Sequence, residues 1–405
     1  MKRSLRMQSS LRIQLWSYNY DPEPTGIGPV SRVWAGAMRD RGHDVHVIAA
    51  HPHYPAPRWG TKLMPYRETR DRIPVLRLPL WIGRASAGER YRQELSFMLA
   101  LSTALPGLGR ADVIVSVSPC FPAFLPAIVN ARLRRTPWVV WLQDILPDGA
   151  AVTGLIDDGV VLRVARRLER MAYQAAEKIV VPSRSFEKNL IDKGVPESKI
   201  EVIYNPATRI SESQLDHDGN YDALRILSMG NIGYSQGLAP LVRALEDDCA
   251  PMNAKLIIAG TGVAAEEVRA EIRSERVEML GLLDDARLES ELACANVALV
   301  SQRYVGTEFN IPSKIMNFMA YGLPVIAAVN PDSEAARIVR ESQGGWVIDS
   351  ADPEGFPAMV RAIAESAQTK ARHSAAAYKF AQAHFTSTRM AERFERTLFE
   401  AVEGF

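Results

Sequence analysis

Cysteine is scarce in this 405-residue chain: Cys120, Cys249 and Cys294 stand alone and make an odd number. That excludes a disulfide framework and a thiolate zinc site, and it points to reduced thiols in a cytosolic setting. Long apolar runs are missing too. No window, not even 95–105 or 113–129, reaches the roughly 18 to 20 uninterrupted apolar residues of a spanning helix. The chain starts basic, but no apolar region with a small-residue cleavage site follows, so no signal peptide is expected. Also absent are a Gly-x-Ser-x-Gly elbow, a Cys–His signature, a Walker lysine and a Gly-x-Gly-x-x-Gly fingerprint with its acidic partner. Hydrolysis by those routes and dehydrogenase chemistry are thereby set aside. The seven histidines show no ligand pairing, so no metal is expected.

What is present is an ordinary soluble composition, 47% apolar and 23% charged, which requires a real core. The length fits two domains of roughly 150 to 200 residues each. A net charge of +1 conceals an asymmetry: residues 1–205 carry 29 basic and 19 acidic side chains, residues 206–405 carry 19 and 28. The halves are therefore +10 and −9.

The first segment reads as a strand at 11–18, a Gly/Pro loop at 21–29, a helix closed by Gly42 and a strand at 45–49, which makes a βαβ unit. Further strands are expected at 75–78, 113–117, 138–142, 178–181 and 200–203, with helices at 89–104, 122–134 and 160–176. Such alternation predicts a mostly parallel sheet. A polar, non-periodic stretch at 207–221 places the linker, after which strands at 224–229, 255–259, 277–280, 297–300, 325–328 and 345–348 build a second doubly wound lobe. The final helical tract, 357–405, breaks near Thr386 and is expected to end on the first lobe. The expected domains are 1–206 and 207–385, with 386–405 completing the first.

Open parallel sheets bind ligands beyond the carboxyl ends of their strands, so the loops that follow strands carry most weight. After the first strand, Pro24-Thr25-Gly26-Ile27-Gly28 offers close backbone approach and a helix N-terminus for an anion; a plain strand-to-helix turn is the alternative. The second lobe opens with a loop containing Gly230, Asn231, Gly233, Ser235 and Gln236, and Gly260-Thr261-Gly262 follows its next strand. Two such loops in one lobe suggest a nucleotide. In Ile311-Pro312-Ser313-Lys314 the lysine occupies the first turn of a helix, where the dipole disfavours a cation unless a phosphate lies between them. Asp144 ends an apolar strand and either points at a ligand or caps a turn. His43 fits a structural role, whereas His51 and His53 are candidates for lining an acceptor site.

Nine pieces in order then show a likeness: YNYDPEPTGIG at 18–28, RGHDV at 41–45, VSP at 117–119, LQDILPD at 142–148, VPS at 181–183, YNP at 204–206, GNIGYSQGL at 230–238, AGTG at 259–262 and IPSKIMNFMAYGLPVIA at 311–327. Together they span nearly the whole chain, which resembles the retaining glycosyltransferases of family four, especially the bacterial branch that builds colanic acid, O-antigen and other exopolysaccharides. The resemblance implies an α/β GT-B fold, two doubly wound Rossmann-like lobes facing a central cleft. It also implies metal-independent transfer with retention and no cofactor beyond the nucleotide sugar itself, a UDP-sugar with a GDP-sugar as alternative. The donor is expected on the C-terminal lobe, at Gly230, Asn231, Ser235, Gln236, Gly260, Gly262, Arg303, Ser313, Lys314 and Asn317, with Gly26 and Gly28 beside the diphosphate. Asp144 falls where relatives place a histidine or aspartate near the transferred sugar, and Thr25, His51 and His53 are assigned to the acceptor.

Two departures stand out. The family's pair of glutamates maps onto Phe309 and Asn317, with Glu308 one residue away and expected, with Asp144 and Lys314, among the catalytic residues, and its basic residue in the first C-lobe loop is Ser235. The expected partners are the donor and a polyprenyl-diphosphate-linked acceptor, with no nucleic acid. Peripheral contact with the inner face of a membrane is expected through Arg84, Arg90 and Arg92 around 95–105, and through Arg163, Arg166, Arg167 and Arg170. The competing readings are a nucleotide-sugar epimerase, a non-catalytic sugar-nucleotide-binding partner, and a transferase with a soluble acceptor.

Overall fold

The computed structural model describes residues 10–24, 26–54, 59–60, 62–83, 87–118, 120–144, 160–211, 223–303 and 311–405, without side chains at 87 and 160–162. Thr25, Arg84 and Glu308 lie outside the described residues, as does most of the expected linker. The chain divides into two compact units, 1–204 with 387–405, and 205–386.

In the first unit, β1 (Arg12–Ser17), β2 (Asp44–Ala50), β3 (Tyr66–Arg70), β4 (Ile73–Leu78), β5 (Val113–Val117), β6 (Trp138–Trp141), β7 (Lys178–Val181) and β8 (Ile200–Val202) form one sheet. Their order is β3-β4-β2-β1-β5-β6-β7-β8. All neighbours are parallel except β3 and β4. The inner strands are near-continuous Val/Ile runs because helices cover both faces. These helices are α1 (Ile27–Asp40), α2 (Ala87–Ala104), α3 (Phe124–Arg134), α4 (Val160–Ala175) and α5 (Arg184–Asp192). β3 was not expected from the sequence. Its residues, YRETR, have no apolar face, and its place at the sheet edge asks for none.

Helix α13 (Ser387–Glu403) closes this unit. Phe394 meets Trp34 and Trp141 edge-on, with ring centroids 5.5 and 4.9 Å apart. Glu395, 4% exposed, accepts from Arg41 and sits 3.0 Å from His43 Nε2. His43 Nδ1 accepts the Leu11 N–H at 3.2 Å, so the ring proton is on Nε2 and is donated to Glu395. Burial pushes the Glu395 carboxyl up, but the hydrogen bonds from Arg41 and His43 more than offset this and hold it below its ordinary 4.5. The clamp therefore contributes fully above about pH 4.5 and is lost as pH falls through the lower folded value. Replacing Glu395 by glutamine is expected to cost about 1–2 kcal/mol, the difference between charged and neutral hydrogen bonds. Urea melts of parent and variant at pH 7 and pH 4 check this: a gap that fails to shrink at pH 4 contradicts the account.

The second unit holds β9 (Leu224–Met229), β10 (Ala254–Ala259), β11 (Val277–Gly281), β12 (Val297–Ser301), β13 (Val325–Val329) and β14 (Gly345–Asp349), all parallel. The order β11-β10-β9-β12-β13-β14 reverses direction between β9 and β12. The helices are α6 (Leu238–Asp247), α7 (Ala265–Glu271), α8 (Asp285–Cys294), α9 (Ser313–Ala320), α10 (Glu334–Ser342), α11 (Phe356–Ala364) and α12 (Ala367–His384). The final tract breaks near Thr386 as expected and also at Glu365–Ser366, which the sequence reading did not anticipate.

Candidate functional site

The reversal between β9 and β12 opens the sheet at its carboxyl edge, and the loops after β9, β10 and β12 and the start of α9 gather there. The first two loops are fastened backbone to backbone: Gly230 N–H donates to the Ala259 carbonyl at 2.8 Å, Ile232 N–H to Thr261 at 3.0 Å, and Ala264 N–H to Ile232 at 2.9 Å. A Cβ on Gly260 would stand 1.8 Å from the Gly230 carbonyl oxygen, and one on Gly262 would stand 2.3 Å from that of Ile232. The glycines thus allow two loops to touch, a reason that spacing alone did not reveal.

Ser235 and Gln236 form a single 3-10 turn after Gly233. Gln236 Oε1 accepts the Gly233 N–H at 2.7 Å, so the side-chain oxygen expected to serve a donor is spent on its own turn, and the amide NH2 remains. The Ser235 carbonyl takes the Arg303 N–H at 2.8 Å, which joins the β9 and β12 loops. Gly237 was missed by sequence reasoning. It adopts the left-handed conformation at φ 59°, and a Cβ there would meet Arg303 Cγ at 2.6 Å, so it seats the stem of that arginine.

Pro312 precedes α9 with no side-chain cap among the described residues, and the first-turn amides at Ser313 and Lys314 are of the kind that an anion can take. Lys314 is partly buried and makes no ion pair with any described residue, and burial pulls its pKa from 10.5 down to about 8. A desolvated ammonium at a helix N-terminus is an electrostatic liability that an anion would cancel.

Asn317, expected at the donor, already uses its side-chain oxygen within the fold. Its Oδ1 accepts from Thr208 N–H at 2.9 Å, Thr208 Oγ1 at 3.3 Å and Arg209 N–H at 3.4 Å. The acceptor half of the amide is consumed in fixing 208–209, and only Nδ2 is left.

In the first unit the reversal lies between β1 and β5, and the loops after β2, β1, β5 and β6 follow one another along the carboxyl edge. Gly26, at φ 70° and ψ −143°, precedes α1 in a conformation open only to glycine. Gly28 packs so closely that a Cβ would lie 3.1 Å from the Glu23 carbonyl. Glu23, which the sequence reading passed over, organises this corner. It is 2% exposed, and its carboxylate accepts from His53 N–H at 2.7 Å, Tyr54 N–H at 2.8 Å and Asn19 Nδ2 at 2.8 Å. His53 is drawn into this network, with Nδ1 2.9 Å from the His51 carbonyl and Nε2 3.3 Å from Asn19 Nδ2. His51 is also buried, yet neither ring nitrogen makes a hydrogen bond of normal geometry with any described residue. Burial lowers its pKa, with the backbone of Lys62 and Met64 close enough to act on its charge.

Asp144 follows β6 and is partly buried. Its N–H and that of Gln143 both donate to Ser118 Oγ, at 3.1 and 2.7 Å. The loop is thus pinned from its neighbour after β5, and the carboxylate is held by a backbone tether.

Residues 25–206 match a family described as the glycosyl transferase 4-like domain, and residues 223–366 match the glycosyl transferases group 1. The chain is similar to the putative colanic acid biosynthesis glycosyl transferase WcaI of Escherichia coli K12, 26% identical over 399 residues, covering 92% of this chain and 96% of that protein. Among solved structures, sucrose-phosphate synthase from Thermosynechococcus elongatus superposes with a TM-score of 0.72 at 16% identity, covering 97% of this chain and 99% of that one. HepE from Anabaena in complex with UDP superposes at 0.66 with 18% identity, covering 96% and 99%.

Proposed function

The chain belongs to the glycosyltransferases of the two-lobed GT-B type, and from that premise we propose that it moves a sugar from a nucleoside-diphosphate donor, with retention and without a metal, to a lipid-linked acceptor of cell-surface polysaccharide synthesis. The observation that carries the donor half is Lys314, desolvated and without an ion pair to any described residue at the start of α9 where the sheet reverses. A diphosphate leaving group brings the charge this corner lacks, and fixed donors stabilise it best as it departs. Lys314, the Ser313 and Lys314 amides and Arg303 supply them. UDP is the favoured nucleotide, in line with HepE, and WcaI motivates the exopolysaccharide acceptor.

Asp144 is assigned to the transferred sugar, where it would orient the ring or stabilise positive charge growing at the anomeric carbon. Replacing it by asparagine is expected to lower transfer about tenfold while donor affinity stays near the parental value, the pattern of a transition-state interaction. Transfer at the parental rate would reduce Asp144 to a turn residue.

Thermal melting against a panel of nucleotide sugars tests the donor assignment, since ligand at 100 times its Kd adds about 2.7 kcal/mol. Product analysis with and without polyprenyl-diphosphate sugars and chelator tests the rest. Conversion of the donor with no acceptor present would favour epimerisation, and binding without turnover would favour a non-catalytic partner, a reading that the commitment of Asn317 Oδ1 to Thr208 keeps in view.

Contact of the first unit with an anionic membrane surface belongs to the same proposal. Arg163, Arg167 and Arg170 on α4 are exposed and make no ion pair with any described residue, which suits attraction to acidic headgroups.

A further inference from the structure

Helix α3 buries Phe124, Ala127, Ile128 and Ala131, as a helix covering a sheet should. Its opposite face is unusual. Leu125, Val129 and Leu133 recur every four residues along one stripe and are 42%, 39% and 79% exposed. A solvated helix face places charge at such positions; here the stripe is apolar for about 12 Å of helix. α4 packs beside α3, and on it Val164 is 57% exposed among Arg163, Arg167 and Arg170. Arg132 and Arg135 flank the lower end of the stripe. The one carboxylate within these two helices, Glu169, is buried and bonded to Tyr173 and Lys193, so nothing acidic on either helix faces outward.

We propose that the Leu125–Val129–Leu133 stripe of α3 inserts into the acyl boundary of an anionic lipid surface, with the α4 arginines on the headgroups beside it. The inference rests on the membrane contact proposed above and adds the element that penetrates. Charge complementarity selects the occupant: exposed arginines that make no ion pair with any described residue, on a helix packed beside the one that carries the exposed leucines, match a sheet of phosphates over hydrocarbon. Stable peripheral binding needs two signals, and here they are a basic patch and an apolar wedge. The two respond differently to salt. Attraction to headgroups is screened within about 3 Å at 1 M, whereas burial of apolar surface is not weakened.

Flotation of the full chain with vesicles of phosphatidylglycerol and phosphatidylcholine, against phosphatidylcholine alone, tests this. The parent is expected to bind the anionic vesicles and to keep a measurable fraction bound at 1 M salt. The triple variant Leu125→Ser, Val129→Ser, Leu133→Ser is expected to bind about tenfold less at low salt and not at all at 1 M. Arg163→Gln, Arg167→Gln, Arg170→Gln is expected to lose the preference for anionic lipid instead. Because all six positions are exposed, melting temperatures should stay parental, and this is checked first. If the serine triple binds as the parent does while the glutamine triple does not, the wedge is wrong and the membrane reading stands. If the parent floats with no vesicle at any salt, the membrane reading itself fails. A dimer by light scattering that the serine triple abolishes would reassign the stripe to a contact between two copies of this chain.

Discussion

Gly260→Ala is expected to abolish binding of nucleoside diphosphates and to destabilise the second unit by more than about 3 kcal/mol. The added Cβ would sit 1.8 Å from the Gly230 carbonyl oxygen and 2.9 Å from its carbon, and both are backbone atoms that no rotamer change can move aside. The loops after β9 and β10 must then part, breaking the Gly230 to Ala259 bond at 2.8 Å and the Ile232 to Thr261 bond at 3.0 Å. Gly36→Ala is the contrast. That glycine lies inside α1 with only the tip of Arg39 within 4.0 Å of a Cβ, so alanine there should be neutral or stabilise by about 0.5–1 kcal/mol. Denaturant melts and calorimetric titration with UDP separate the two variants. A Gly260→Ala protein that melts and binds like its parent would show that the loops are not in contact.

Lys314→Ala is expected to weaken diphosphate binding by about 1.5–3 kcal/mol, roughly 10- to 150-fold, and to leave nucleoside binding nearly intact. A pH dependence accompanies it. In the free protein the lysine titrates near 8 because burial disfavours its charge, and an anion in contact restores the charged form. Binding should therefore take up a proton between about pH 8 and the ordinary 10.5, and affinity should fall as pH rises through that window. Stability without ligand should move the other way. The unfolded chain holds the Lys314 proton up to 10.5 and the folded one only to about 8, so stability rises with pH across the same interval. Titration calorimetry at pH 8.5 in buffers of different ionisation enthalpy measures the proton directly. Equal diphosphate affinity in parent and variant, or no proton uptake by the parent, would remove Lys314 from the phosphate site.

The architecture was legible because strand and helix periodicities are local. Runs such as Val113–Val117 and Val325–Val329 declare buried strands by composition alone, and both fall where the sequence placed them. The glycine loops were legible in position as well, although a plain strand-to-helix turn stood as the alternative to a ligand site. Residue roles within those loops were less so. Gln236 and Asn317 read as ligands for a nucleotide, and the fold gives their oxygens to Gly233 and to Thr208–Arg209. His53 read as an acceptor contact, and Glu23 holds the loop that carries it. A buried polar atom takes the nearest partner available, and which partner is near is not written in its own neighbourhood.

By itself, then, the sequence determined two α/β lobes, the strands that build them, the glycine loops at the carboxyl ends of those strands and the likeness to a glycosyltransferase family, because all of these follow from neighbours along the chain. Tertiary structure alone decided the rest. It paired His43 with Glu395 across 352 residues, laid Arg303 against Gly237, spent the Asn317 acceptor on Thr208 and left Leu133 in the open. Hydrogen bonds and burial at that range form only once the sheets have closed, and their choice depends on the packing of elements that the local pattern does not encode.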